Sequence, residues 1–350
     1  MKKLLTLLIV LSMAIGVSAQ KSERIWKLYR DGKKLKALEL ALALQEKFPN
    51  DGDLNLTLGE LYISKKEYAK AAPFLQKAIH KNNSKWVRAW GIYNIGYCMM
   101  VDGEMEKAKS CWEQCLKVKS MNRLNEKAKM ALDIFQMDDY FSDWEIIESK
   151  HIRFHFQDKS KLNYKWFMES RENAFIELNQ FFVAMPYKKI DFFVWAKPDD
   201  AQKKYNRSLG WAHGKACVIN SRSNQTKGHE LCHVLCQQAF RTRIKRTLIN
   251  EGVAVYFDLN KTDKIKVAQQ SLKGKKVNIE ELWEDPEKYP KSYNYEIGGA
   301  LIDFLLQKGS EKQLKALLKN QSIESAQKIY PNLKSLLAEF EELLAKEVKS

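Results

Sequence analysis

No second run of apolar residues follows the one at the start of this 350-residue chain, and that first run is itself short. It spans Leu4 to Gly16, broken only by Thr6 and Ser12, and a membrane-spanning helix needs roughly 20 apolar residues. A stable membrane span is therefore not expected. With basic Lys2 and Lys3 before it and Val17, Ser18 and Ala19 after it, the run reads as a signal peptide over residues 1–19. The expected location is accordingly the periplasm or the cell exterior. No cysteine closes the apolar run, so nothing points to a lipid anchor. Also missing is a basic block interleaved with aromatic residues. The net charge of +16, from 59 Lys and Arg against 43 Asp and Glu, is spread through segments that also carry glutamate, as in Lys65 to Lys70. That pattern describes a solvated surface and not a nucleic-acid partner. Finally, no Gly/Ser-rich linker separates the two halves of the chain.

The six cysteines divide three and three between the halves, and each set includes a pair four residues apart: Cys111 with Cys115, Cys232 with Cys236. An odd set in each half does not suit a disulfide framework, and helical i, i+4 cysteines act as small apolar residues. They are read as mostly reduced and buried.

The first half repeats with a period of 34 residues. Leu58, Gly59, Tyr62, Ala71, Leu75 and Ala78 mark one unit, with Lys65 and Lys66 in its turn. Ala37, Ala41 and Leu44, closed by Phe48 and Pro49, belong to the unit before. Ile95, Gly96, Met99, Ala108, Trp112 and Cys115 form a third, displaced by three residues. Small residues at such positions let two antiparallel helices approach closely. This part resembles three tetratricopeptide repeats, and a further amphipathic stretch, Asn125 to Phe135, caps them. The resemblance implies an α-helical repeat solenoid over residues 20–138 that binds a protein partner or serves as a spacer.

Beyond Trp144 the pattern alternates. His151, Arg153 and His155 interleave with Ile152, Phe154 and Phe156, which predicts a half-buried strand with its polar side facing water. A helix over Tyr164 to Phe182 and strands at Ile190 to Trp195 and Lys215 to Asn220 complete an α+β pattern.

That pattern leads to K-G-H-E-L-C-H-V-L-C at Lys227 to Cys236, with Thr226 as a predicted helix cap. Four residues are one helical turn plus about 40°, so His229 and His233 project from one face and can share a metal ion. Glu230 lies about 100° round from His229, within reach of a water on that ion. Two histidines need a third ligand, and Glu251, in L-I-N-E-G-V-A from Leu248, is the obvious carboxylate.

H-E-x-x-H followed by N-E-G-x-A resembles the gluzincin zinc peptidases, the thermolysin-like and aminopeptidase-N-like enzymes of the peptidase MA superfamily. The resemblance implies a zincin-like domain over residues 139–350 holding one Zn2+ on His229, His233 and Glu251, with Glu230 as general base. Y-E-I-G-G-A from Tyr295 resembles a helix start in the aminopeptidase-N-like enzymes and implies an oxyanion-binding role for Tyr295. The strand Lys215 to Asn220 would be the edge to which an extended peptide adds, with His213 a loop residue beside it. No G-x-M-E-N segment precedes the zinc helix, Ile297 stands where those aminopeptidases have lysine, and Val255 stands where thermolysin-like enzymes have aspartate. Asp258 is the remaining carboxylate able to support a histidine. Cleavage at chain ends and cleavage within chains both stay open. The expected function is an exported zinc metallopeptidase acting on a peptide or protein substrate. The alternative is a non-catalytic repeat adaptor with a peptidase-like binding domain.

Overall fold

The computed structural model describes residues 22–118, 122–207 and 210–346; the expected signal peptide lies outside them. The chain divides into two compact units between Ser142 and Asp143. The sequence reading puts this join at 138/139. No helix among the described residues is long and apolar enough to cross a membrane.

The first unit is all helical. Its helices are α1 (22–30), α2 (Lys34–Lys47), α3 (Gly52–Ser64), α4 (Tyr68–Ala78), α5 (Lys85–Val101), α6 (Met105–Leu116) and α7 (Asn122–Ile134). From α2 onward each helix packs on the next, and α3 also meets α5, as α5 meets α7. Small residues set the closest contacts. A Cβ on Gly59 would lie 2.4 Å from Leu75 Cδ2, and one on Gly96 would lie 2.8 Å from Trp112 Nε1. Trp112 is wholly buried, donates to the Tyr93 carbonyl at 3.1 Å and stacks on Phe135. Asp51 caps α3 by accepting from Leu54 N at 3.1 Å, satisfying an amide that the first turn leaves unpaired.

The second unit joins a five-stranded mixed sheet to a set of helices. The strands are β1 (Glu145–Glu148), β2 (Ile152–Phe156), β3 (Ile190–Trp195), β4 (Trp211–His213) and β5 (Val218–Arg222), in the order β1-β2-β3-β5-β4. The three central strands run parallel and the outer two antiparallel to their neighbours. Helix α8 (Tyr164–Phe182) links β2 to β3, and its Phe167 packs edge-on to Phe154 and Phe156. After the short α9 (Pro198–Tyr205) come α10 (His229–Phe240), α11 (Thr247–Tyr256), α12 (Lys264–Leu272), α13 (Ile279–Glu284), α14 (Tyr293–Lys308), α15 (Glu311–Lys319), α16 (Ile323–Ile329) and α17 (Leu333–Ala345).

Three expectations for the sheet and its cysteines meet the structure here. First, the polar side of β2 does not face water. His155 is 5% exposed, its Nε2 2.9 Å from Asp191 Oδ1 on β3, and its ring stacks on Phe193 at 4.1 Å. Lys188 and Arg153 also pair with Asp191. Burial works to raise the Asp191 carboxyl, but Lys188, His155 and Arg153 outweigh it and hold it well below the usual range. Second, β5 is an interior strand, flanked by β3 and β4, so Lys215 to Asn220 is no edge. The edge on that side is β4, and His213 belongs to it instead of to a loop. Third, all six cysteines are free thiols, five of them buried and Cys111 half-buried.

Candidate metal centre

The site forms where α10, α11 and α14 meet. Helix α10 starts at His229 itself, with Gly228 as the residue before it and no side-chain cap, so Thr226 does not perform the capping expected of it. Gly228 is required by proximity: a Cβ there would lie 2.3 Å from the Phe257 carbonyl oxygen, and its amide donates to the Asp258 carbonyl at 3.2 Å. The first turn of α10 is thereby held against the end of α11. The approach to α10 hangs from buried Arg171, which donates to the Gln225 carbonyl at 2.9 Å. Gln225 Oε1 in turn accepts from Arg222 N at 2.8 Å.

His229 Nε2 and His233 Nε2 each lie 3.4 Å from Glu251 Oε2, and one donor atom from each of the three residues falls within 4.8 Å of the others. The two imidazole rings stand at 87° to each other, centroids 4.9 Å apart. Among the described residues, this is the one group of three or more His, Cys, Asp or Glu side chains close enough to hold a metal ion. The cysteines of α10 take no part: Cys232 Sγ contacts the Val253 carbonyl, and burial pushes both thiols up, Cys236 to about 12. His151 and His155 also stay away from it, engaged with Glu172 and Asp191.

Electrostatics separates the two glutamates. Burial raises the Glu251 carboxyl, but the two histidines bonded to it prevail and hold it ionised. Burial also raises Glu230, which is 8% exposed; the histidines offset that only in part, and its Oε2 has no hydrogen-bond partner. For His229, burial disfavours the charged ring, while Glu251, Glu230 and Asp258 together outweigh it and raise the pKa. Asp258 acts here through its charge. Its Oδ1 accepts from Asn260 N at 2.8 Å and Lys264 Nζ at 3.0 Å, and among the described residues it makes no hydrogen bond to either histidine.

Tyr295, in the first turn of α14, is 40% exposed, its ring nearly parallel to that of His229 at 6.0 Å. Burial and the two glutamates raise its pKa, so the phenol keeps its proton and can donate it in a hydrogen bond. Glu251 and Tyr295 ride on helices that touch backbone to backbone. A Cβ on Gly252 would lie 2.5 Å from the Gly298 carbonyl, and one on Gly298 would lie 2.5 Å from Leu248 O.

Two contributors have a role that the sequence pattern does not show. Asn250 Nδ2 lies 3.3 Å from His233 Nδ1 and 3.1 Å from Glu251 Oε1. The Asn250 amide donates to the carboxylate through Nδ2 and sets that same nitrogen against the His233 ring, so one side chain touches two of the three candidate ligands. Gly210 is the other: a Cβ there would lie 2.8 Å from Glu230 Oε1 and from Gln225 Oε1. Its N-E-G setting made Asn250 visible as a residue, but only the fold shows what its side chain meets. Beside the site, Gln238 Nε2 donates to the Gly214 carbonyl at 2.7 Å, binding the β4–β5 turn to α10.

Two imidazoles and one carboxylate are a donor set that suits a divalent ion with a further position left open. The orphaned Glu230 oxygen fits the same reading, since it points to a polar group that the protein itself does not supply. Comparison with protein-family models and with curated proteins finds no match for this chain.

Proposed function

We propose that the chain is a zinc-dependent metallopeptidase of the gluzincin kind, with a tetratricopeptide-like array that binds a protein partner or substrate. The observation that carries this is the convergence of His229, His233 and Glu251 donor atoms within 4.8 Å, beside a buried, unpartnered Glu230 oxygen. When bound, the zinc ion would act as a Lewis acid toward the scissile carbonyl and toward water. Glu230, with its raised pKa, accepts a proton from the attacking water and returns it to the departing amine nitrogen. Tyr295 donates a hydrogen bond to the oxyanion that develops on the carbonyl. Asn250 donates to Glu251 Oε1 and so orients the carboxylate toward the two histidines.

Metal analysis of purified protein, followed by incubation with a mixed peptide library, tests this. Glu230→Gln is expected to keep one zinc per chain and to lower cleavage by at least about 100-fold. Cleavage that survives that substitution, or survives zinc removal, rejects the mechanism. Zinc without any cleavage by the wild type would make the second unit a binding module.

A further inference from the structure

The helical unit contains a hollow of about 350 Å3 whose walls come from four helices, and whose chemistry differs from the surface around it. Trp26 of α1, Asp53 and Glu60 of α3, Trp86 and Trp90 of α5, and Arg123 of α7 line it. Asp53 and Glu60 are two turns apart on one face of α3, and Trp86 and Trp90 one turn apart on α5. Trp86 is 45% exposed, an unusual position for so large an apolar ring.

The acids of this hollow differ from those that pair with lysine, such as Glu67, which is 2.7 Å from Lys65 and 2.8 Å from Lys70. Glu23, at the rim, pairs with Arg30 at 2.5 Å. Among the described residues neither Asp53 nor Glu60 forms an ion pair. Glu60 Oε1 accepts only from Asn94 Nδ2, at 3.3 Å. Burial first, and Asp51 second, push the Asp53 carboxyl up to about 6, and burial raises Glu60 although Asn94 and Lys127 oppose it. In a chain of net charge +16, two partly desolvated carboxylates, neither in an ion pair among the described residues, share this hollow with three tryptophans and Arg123.

We propose that this hollow binds a single lysine or arginine side chain presented by a peptide or protein partner. The carboxylates neutralise its charge, the indole faces attract it through their quadrupoles, and its aliphatic stem packs along the rings. The volume lies at the small end of ligand pockets, enough for one long side chain and its flanking backbone. Arg123, in the same lining, offsets one of the two negative charges, so the hollow has room for a single cationic residue and not for a dense basic tract. This inference concerns the helical unit alone and does not rest on peptidase activity.

The test titrates blocked pentapeptides, Ac-Ala-Ala-X-Ala-Ala-NH2 with X lysine, arginine, norleucine or glutamate, into the full chain carrying Glu230→Gln, so that no probe is consumed. Tryptophan fluorescence and calorimetry report binding. The lysine and arginine peptides are expected to bind at least about tenfold more tightly than the norleucine and glutamate peptides. Asp53→Asn combined with Glu60→Gln should erase that preference while leaving zinc content unchanged. Equal binding of all four peptides, or no saturation by any of them up to about 10 mM, overturns the proposal, as does a preference that survives the double substitution. Should the double variant not fold, the series on the parent protein decides by itself, because norleucine differs from lysine only in the charged group.

Discussion

A buried polar atom without a partner costs on the order of 1–3 kcal/mol, and Glu230 Oε2 is such an atom at the centre of the site. A protein selected for stability alone would carry glutamine-sized apolar packing there. In the proposed hydrolysis, its raised pKa is what would let it hold a proton between two steps. Tyr295 is the complementary group: its pKa is raised too, so it remains a donor and never a base. Tyr295→Phe is expected to lower kcat by roughly 100-fold, the scale for one oxyanion donor, with a much smaller change in KM. Steady-state kinetics on one library-derived peptide checks this, and a change confined to KM would remove Tyr295 from the transition state. His229, Glu230 and His233 are legible in the sequence because a helix converts spacing directly into direction. Glu251 and Tyr295 are legible through the resemblance that their surrounding motifs carry. Asn250 and Gly210 are not, since each acts through a neighbour distant in the chain: His233 for one, Glu230 for the other.

Among the elements, α11 and α14 decide the geometry. Replacing a helical glycine by alanine ordinarily gains about 1 kcal/mol in propensity. At Gly298 the added methyl would meet the Leu248 carbonyl oxygen at 2.5 Å, and overpacking costs about 1–3 kcal/mol. Gly298→Ala is therefore expected to destabilise the protein by about 2 kcal/mol, read from the midpoint of urea unfolding; a neutral or stabilising result would show that the helices can part freely. The α8 and β3 boundaries agree with apolar periodicity, which is a local signal. Strand order is not local. The order β1-β2-β3-β5-β4 depends on which strands pair after α9, and a linear pattern does not distinguish the interior β5 from the edge β4. Alternation on β2 distinguished its two faces but not whether the polar one met water or a buried aspartate.

At the scale of the whole molecule, the two units differ in chemistry: one gathers His229, His233 and Glu251, the other has an acidic aromatic hollow. Metal that binds only the folded state stabilises the unit that holds it, by about 4 kcal/mol when free metal is about 1,000-fold above its dissociation constant. Chelation is thus expected to lower one calorimetric transition and leave the transition of the helical unit in place. A single transition that moves as a whole would show instead that the units unfold together. The 34-residue repeat and the change to alternating pattern made a two-part chain visible from sequence.

The glycine contact between α11 and α14 also gives errors in this site a direction. Two backbones already in touch cannot come closer, so Gly252 and Gly298 act as a mechanical stop. Substitutions there can only widen the gap between the helices that carry Glu251 and Tyr295. Drift elsewhere in the core can loosen that stop but never tighten it, and compensating changes for a widened site must therefore come from longer side chains and not from closer helices.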